Sequence, residues 1–327
     1  MVLWIIFIIF LLIALALDLG IFNKNPHEIS TKEASFWSAL WVSIALLFSV
    51  VIYFAFQNKW IANPTHISPY TAVVKYITGY LIELSLSVDN IFIIAIIFSS
   101  FAIPKKYQHE VLFYGVVGAI VFRALMIYFG ITLINHFTWI TYVFGVFLLL
   151  TAYKMLVQSE EEYNPKKSKL LYWIKKIFPV TYMIDGEKFF IKRKGIKIAT
   201  PLFISLIIIE FTDLLFAIDS IPAVLAISAD PFIVFSSNIL AVMGLRSMFF
   251  LISNMLNKFR YINYSLVAIL AFVGIKMIIV HYVHIPEWLS LCVIGLSLAI
   301  GIYASMAISR KEIQKREKNL SENLDER

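Results

Sequence analysis

Carboxylates and an amide stand inside two of the most apolar stretches of the chain. The stretches GYLIELSLSVDNIFIIAIIF and PLFISLIIIEFTDLLFAIDSIPAVLA hold six such residues: Glu83, Asp89, Asn90, Glu210, Asp213 and Asp219. An ionisable side chain at the centre of a bilayer costs at least ~2.5–3.5 kcal/mol, so it is seldom there without a role. Hard oxygen ligands suit Mg²⁺, Ca²⁺ or Mn²⁺ better than Cu⁺ or Zn²⁺. These residue types therefore predict a divalent-cation site.

Two copies of one three-helix unit carry these residues. The copies align through the pairs Glu83 and Asp213, Asp89 and Asp219, Asn90 and Ser220, Arg123 and Arg246, and Lys154 and Lys276. Each copy has acids on its first helix, an arginine on its second and a lysine at the end of its third. Three spans is an odd number and no further span separates the copies, so the second copy is inverted relative to the first. Inverted repeats with polar groups near the midplane are typical of secondary transporters.

The composition predicts an all-α polytopic membrane protein. Of 327 residues, 60% are hydrophobic and 15% charged, whereas soluble domains are about 45–50% apolar and about 25% charged. Nine apolar segments are long enough to span as helices: 2–22, 35–57, 72–101, 109–134, 137–157, 200–228, 232–257, 262–283 and 287–309. The single cysteine, Cys292, lies in the last of these and offers no disulfide or thiolate metal site.

The distribution of positive charge predicts the orientation. The net charge is +7, and 22 of the 28 lysines and arginines lie in alternate loops and the C-terminal tail. Cytoplasmic loops carry this excess, so we expect the N-terminus outside and the C-terminus inside. The charges belong to a membrane topology, and no nucleic-acid partner is expected.

The hydropathy pattern divides the chain into six parts. They are two N-terminal spans (1–71), the first repeat (72–157), a cytoplasmic loop (158–199), the inverted repeat (200–284), a final span (285–309) and a cytoplasmic tail (310–327). No positive charge precedes 2–22, so we interpret it as a retained helix rather than a signal peptide. In the loop, LLYWIKKIF is predicted to lie along the membrane surface, and Asp185-Gly186 predicts a tight hairpin turn.

A straight helix cannot aim all the acids at one ion. Glu83 and Asp89 differ by roughly 120° around such a helix, and Glu210 and Asp219 point in nearly opposite directions. Either the helices unwind near Asp89 and Asp219, which Pro222 would support, or the acids serve two neighbouring sites. The sequence leaves both possibilities open.

Charge counting assigns roles to the other polar residues. Five acids face two arginines, Arg123 and Arg246, which can balance two of the negative charges. Each acid taken alone could be a structural partner of an arginine, but the arginines cannot neutralise all five. A divalent cation, with protons on the remaining acids, would complete the balance. Crowded carboxylates retain protons more readily, which favours cation–proton exchange.

Five further residues are candidate accessories to the site: Asp18, Ser87, Lys154, Ser220 and Lys276. Asp18, at the inner end of the first span, could help to admit the ion, and the serines add hydroxyl ligands. The two lysines lie near opposite membrane faces. They could pair with acids in one state of a transport cycle, although extension to the interface is the favoured interpretation.

Longer motifs surround the same residues. They are ELSLSVDN at 83–90, FAIP at 101–104, GAIVFR at 118–123, TPLF at 200–203, EFTDLLFAIDSIPAV at 210–224 and SNILAVMGLR at 237–246, with Asp18-Leu19-Gly20 near the start. Over nearly all of 14–284 the chain resembles the TerC family, and within it the Alx-type manganese exporters, which are related to the LysE-type transporter superfamily. The resemblance implies a bacterial inner-membrane protein tied to manganese efflux, alkaline-pH response and tellurium resistance. It also implies that the six residues named first form the ion site.

We therefore expect a secondary transporter that exports a divalent cation, Mn²⁺ above all, in exchange for protons. Its expected partners are the transported cation and the lipid bilayer, without a permanently bound cofactor or enzymatic activity; the oligomeric state is not predicted. An intramembrane aspartyl protease is disfavoured, because that family places a glycine just before one catalytic aspartate and Ala217-Ile218 precedes Asp219 here. A factor for membrane-protein assembly or tellurium resistance, without ion flux of its own, is the alternative.

Overall fold

A computed structural model describes residues 2–20, 28–63, 66–137, 139–157, 165, 169–193, 195–253, 262–279, 282–283 and 285–305. These residues form ten helices and one two-stranded sheet. In chain order they are α1 (Val2–Gly20), α2 (Thr31–Gln57), α3 (Pro69–Ser100), α4 (Lys105–His136), α5 (Ile140–Val157), α6 (Lys169–Ile177), β1 (Phe190–Arg193), β2 (Ile196–Ala199), α7 (Pro201–Leu225), α8 (Pro231–Ser253), α9 (Ile262–Ile279) and α10 (Glu287–Ser305).

Nine of the described helices correspond to the nine predicted apolar segments. Seven of them, namely α2, α3, α4, α5, α7, α8 and α10, are long and apolar enough to cross a membrane. Two more, α1 and α9, are apolar over the shorter stretches Val2–Leu17 and Tyr264–Ile279. The starts follow ordinary helix chemistry: Ser68 accepts a hydrogen bond from the Thr71 amide, and prolines begin α3, α7 and α8. The structure confirms an all-α polytopic membrane protein.

The helices of the two repeats interleave. The most extensive contacts join α3 to α8, α4 to α7 and α5 to α9, while α3 also packs on α7 and α4 on α8. Exchanging the first repeat (α3, α4, α5) with the second (α7, α8, α9) leaves this set of pairs unchanged. That is the symmetry an internal repeat predicts. Among the seven membrane-crossing candidates, α8 is the most deeply buried, whereas exposed apolar side chains such as Leu150 and Ile300 face outward.

The acid-bearing helices do not unwind. The backbone of α3 is helical through Asp89, and that of α7 is helical through both Asp219 and Pro222. The unwinding interpretation is therefore wrong for this structure. With the helices continuous, acids on one helix point to different sides, which agrees with the other possibility, two neighbouring sites.

The charged loop between α5 and α7 contains α6 and the small sheet. Leu171 and Ile174 are buried on one face of α6, which packs against α7, while Tyr172 and Trp173 are exposed on the other. The helix is therefore amphipathic, and its position along the membrane surface stays a prediction. A turn does occur at Asp185, whose carbonyl accepts a hydrogen bond from the Lys188 amide.

The strands expected to flank Asp185 do not pair with each other, so the hairpin prediction is wrong. Instead β1 pairs antiparallel with β2 in the register Phe190 to Ala199. The reversal lies at Gly195, whose φ of 82° suits glycine because it has no Cβ.

Helices α5 and α9 cross with their backbones in contact. A Cβ built on Gly145 would lie 2.9 Å from the carbonyl oxygen of Gly274, and a Cβ on Gly274 would lie 2.9 Å from the carbonyl oxygen of Gly145. Small residues of this kind allow membrane helices to approach closely. Here they set the separation between the third helices of the two repeats.

We therefore expect Gly145→Leu to destabilise the protein by about 1–3 kcal/mol, because the added side chain overpacks a closed interface. The measurement is the melting temperature in detergent, followed by fluorescence-detected gel filtration. Gly295→Leu on α10 is the control, since a Cβ there meets nothing within 4 Å. Equal losses for the two variants would show that the close approach of α5 and α9 does not matter.

Candidate functional site

A buried charge cluster lies where α3, α4, α7 and α8 meet. Arg123 is fully buried, and its guanidinium contacts carboxylates from both repeats. Nη1 pairs with Glu83 Oε1, Nη2 lies 3.0 Å from Asp213 Oδ1, and Nε lies 3.3 Å from Asp213 Oδ2. Arg123 thus bridges the two acids that the repeat aligns with each other. With both acids ionised, this arrangement carries one net negative charge.

Two amides complete the hydrogen bonding of the cluster. Asn90 Nδ2 donates to Asp213 Oδ1 at 3.2 Å, and Asn238 Nδ2 donates to Glu83 Oε2 at 2.8 Å. Asn238 Oδ1 also accepts a hydrogen bond from Arg123 Nη1 at 3.2 Å. Asn238 was not among the predicted site residues. The available signal was a lone amide in the apolar α8, within the SNILAVMGLR motif.

Asp219 lies outside this cluster, beside a cavity of about 180 Å³. Thr151 Oγ1 on α5 donates a hydrogen bond to Asp219 Oδ1 at 3.2 Å. The polar side chains that line the cavity are Glu83, Asn90, Arg123, Thr151, Lys154, Asp219 and Ser220. The cavity is large enough for a hydrated ion's first few waters, and it connects the Asp219 carboxylate to the cluster.

Several buried oxygens at this junction have no hydrogen-bond partner among the described residues. Asn90 Oδ1 accepts no hydrogen bond from the described residues, although Asn90 Nδ2 is bound to Asp213. The buried Ser87 hydroxyl likewise makes no hydrogen bond to the described residues. Since burying an unsatisfied polar atom is costly, such atoms are natural ligands for a cation or for water.

Glu210 and Arg246 occupy separate places. The carboxylate of Glu210 lies directly against Gly118 on α4, where a Cβ would have no room. Its buried Oε2 accepts no hydrogen bond from the described residues. Arg246 lines a small cavity of about 20 Å³ together with Asn90 and Asp213. Asp213 therefore contacts Arg123 directly and shares a cavity with Arg246.

The two repeat-related lysines have different surroundings. Lys276 is buried, and its Nζ lies 2.8 Å from Glu287 Oε2 and 2.9 Å from Ser290 Oγ on α10. The pair forms at Glu287, the first residue of α10, and the extension of Lys276 to the membrane interface stays a prediction. Lys154 is exposed and lines the Asp219 cavity.

The predicted ion-site acids whose side chains are described therefore fall into three groups. Glu83 lies with Asp213, and Asp219 and Glu210 each lie apart. Within the part of the chain that the structure describes, no three His, Cys, Asp or Glu side chains converge as a metal cage. The side chains of Asp89 and Asp18 lie outside the described residues. The assignment of all six residues to one ion site stays a prediction.

A third cavity, of about 540 Å³, lies among the ends of α1, α3, α4 and α8. Lys75 and Asp230 are among its polar lining residues. Asp230 caps α8 by accepting hydrogen bonds from the Phe232 and Ile233 amides, both at 3.0 Å. Burial raises the pKa of Asp230 above its ordinary value, although these bonds oppose that effect. This cavity contains none of the predicted ion ligands.

Comparisons with known proteins agree with a membrane role. Residues 68–313 match the integral membrane protein TerC family. The chain is 46% identical over 308 residues to an uncharacterized membrane protein of Myxococcus xanthus, covering 94% of this chain and 93% of that one. It is 40% identical over 317 residues to a putative membrane-bound redox modulator, Alx, of Salmonella typhi, covering 96% of both. No solved structure matches significantly.

The Arg123 cluster yields a stability prediction. Arg123→Leu leaves two buried carboxylates without their counter-charge, which we expect to cost about 3–5 kcal/mol. Unfolding in a denaturing detergent would measure the loss. Adding Glu83→Gln and Asp213→Asn to Arg123→Leu removes the stranded charges and should recover part of the stability.

Arg193→Leu on the exposed strand β1 is the matched control and should behave like the wild type. If the charge-neutral triple variant were no more stable than Arg123→Leu alone, stranded charge would not be the cause.

Proposed function

The chain belongs to the TerC family of integral membrane proteins, and from that premise we propose that it is a secondary transporter that exports Mn²⁺ in exchange for protons. The observation that carries the proposal is the cavity beside Asp219, which joins this carboxylate of the second repeat to Glu83 and Arg123 of the first. A polar cavity at the interface of inverted repeats is where secondary transporters bind their ions.

The charge of the site supports a divalent cation. Glu83, Asp213 and Asp219 contribute three negative charges and Arg123 one positive charge. The remaining two negative charges equal the charge of one Mn²⁺. The neutral ligands available beside them are oxygen atoms of amide and hydroxyl groups, which favour Mn²⁺, Ca²⁺ or Mg²⁺.

The same charge balance supports proton exchange. Moving two uncompensated negative charges through a bilayer is expensive. A carrier that has released its ion can return cheaply only if other positive charge takes the ion's place. Protons on the vacated carboxylates meet this need, so one divalent cation would exchange for up to two protons.

We infer a transport role rather than an enzymatic one. An aspartic protease needs two carboxylates that share a proton, whereas Arg123 bonds to both Glu83 and Asp213. The relatives named as redox modulators raise the question of thiol chemistry. This chain has one cysteine, Cys292, exposed on α10, so it offers no dithiol pair of its own.

The first test is Mn²⁺ flux into liposomes that contain the purified protein. Asp219→Asn should lower the initial rate at least about tenfold, because the amide removes a charge the ion needs without changing the shape of the side chain. Its repeat partner gives a second variant, Asp89→Asn, with the same expectation. Adding Ca²⁺ or Mg²⁺ as competitors measures selectivity in the same assay.

Asp185→Asn on the exposed cytoplasmic loop is the control and should transport at the wild-type rate. Wild-type flux in both Asp219→Asn and Asp89→Asn would refute the ion site. Absence of flux in correctly inserted wild-type protein would favour the alternative, an assembly or tellurium-resistance factor.

The second test concerns the orientation of the protein in the membrane. We propose the bacterial cell membrane, with the N-terminus outside and the C-terminus in the cytoplasm. A green fluorescent protein fused to the C-terminus should fluoresce, and alkaline phosphatase fused there should be inactive, since the positively charged loops remain inside. The opposite pair of results would invert the topology.

A further inference from the structure

Lys154 is placed where it can compete with a transported cation. Thr151, which donates to Asp219, lies three residues earlier on α5. Residues at this spacing share one face of a helix, about one turn apart. Lys154 lines the same cavity as Asp219 and is exposed, so its ammonium group is not confined by packing.

The second repeat shows what the equivalent lysine does when it is confined. Lys276 is 5% exposed and its ammonium is bound to Glu287 and Ser290. Both partners belong to α10, which lies outside the repeat. Lys75 also approaches Glu287, at 3.5 Å. The lysine of one repeat is thus fixed by an added helix, while that of the other faces the cavity.

Charge counting distinguishes the empty site from the occupied one. The three carboxylates with Arg123 leave two negative charges, and Lys154 near Asp219 reduces this to one. When a divalent cation enters, it alone neutralises the site. The ammonium would then add an excess positive charge in a poorly screened environment. An empty site therefore favours Lys154 close to Asp219, and an occupied site disfavours it.

We propose that Lys154 is a tethered counter-ion: its ammonium neutralises Asp219 when no metal ion is bound, and the arriving divalent cation displaces it. The inference deepens the proposed function and rests on it. Lys154 is a positioning residue, since it sets how tightly the site holds the ion without ligating it. A lysine that returns to Asp219 also assists release of the ion.

The test is equilibrium binding of Mn²⁺ to the purified protein, monitored by the electron paramagnetic resonance signal of the unbound ion. Lys154→Met should bind Mn²⁺ at least about tenfold more tightly than the wild type, because the competing charge is gone. Its turnover in liposomes should fall, because release becomes slower. Lys154→Arg keeps the charge and should bind within about twofold of the wild type.

Lys276→Met is the matched control from the other repeat. Its Kd for Mn²⁺ should be unchanged although its melting temperature falls, because its partners are on α10. If Lys154→Met does not fold, Lys154→Gln tests the same loss of charge.

A double-mutant cycle measured without metal tests whether Lys154 pairs with Asp219. In a chelator, Lys154→Met should lower the melting temperature of the wild type but not that of Asp219→Asn, since the partner charge is then already absent. The inference would be overturned if Lys154→Met had the wild-type Kd for Mn²⁺ and the wild-type melting temperature. If the wild-type protein still transported Mn²⁺, the proposed function would remain. A wild-type protein that neither binds nor transports Mn²⁺ would refute both.

Discussion

Arg123 sits between Glu83 and Asp213, and the packing of the membrane-embedded helices depends on this contact. Each acid belongs to the first helix of a different repeat, so neither could be buried at the interface without a shared counter-charge. A single guanidinium has enough donors in a fixed plane to bind both. Asn238 donates to Glu83 Oε2, which Arg123 does not contact, and Asn90 adds a second hydrogen bond to Asp213 Oδ1. The most polar part of the interior is thereby also the point that registers the two repeats against each other.

The carboxylates of this cluster and that of Asp219 differ in how firmly the protein holds them. Glu83 and Asp213 are committed to Arg123, so their geometry is fixed by three elements at once. Asp219 instead accepts one hydrogen bond from the described side chains, that of Thr151, and faces a cavity. For the proposed function, a firmly held charge cluster next to a lightly held carboxylate would let an ion exchange without disturbing the packing of the core. Glu210, packed against Gly118, places a further carboxyl group at a third position.

Much of the fold was accessible from the sequence because hydropathy and repeat spacing are strong local signals. The nine apolar helices follow from length and composition, and the alignment of Glu83 with Asp213 placed these acids at equivalent positions of the two repeats. That one arginine binds both was not predicted. What could not be read was the rotation of each helix about its axis. That rotation depends on neighbours: it aims Asp213 at Arg123, while Glu210, one turn earlier on the same helix, lies against Gly118. Asn238 was missed because one amide in an apolar helix has no periodicity to reveal it. The Lys276–Glu287 pair was missed because α10 lies outside the repeat.

The crossing of α5 and α9 has a mechanical consequence. Main-chain atoms in contact at Gly145 and Gly274 cannot be pressed closer, and there is no side chain between them that could change rotamer. If one half of the molecule rocks against the other, this point behaves as a fulcrum. The distances between helices of the two repeats would change least where the two glycines touch. They would change most far from that point, where α3, α4, α7 and α8 surround the acids.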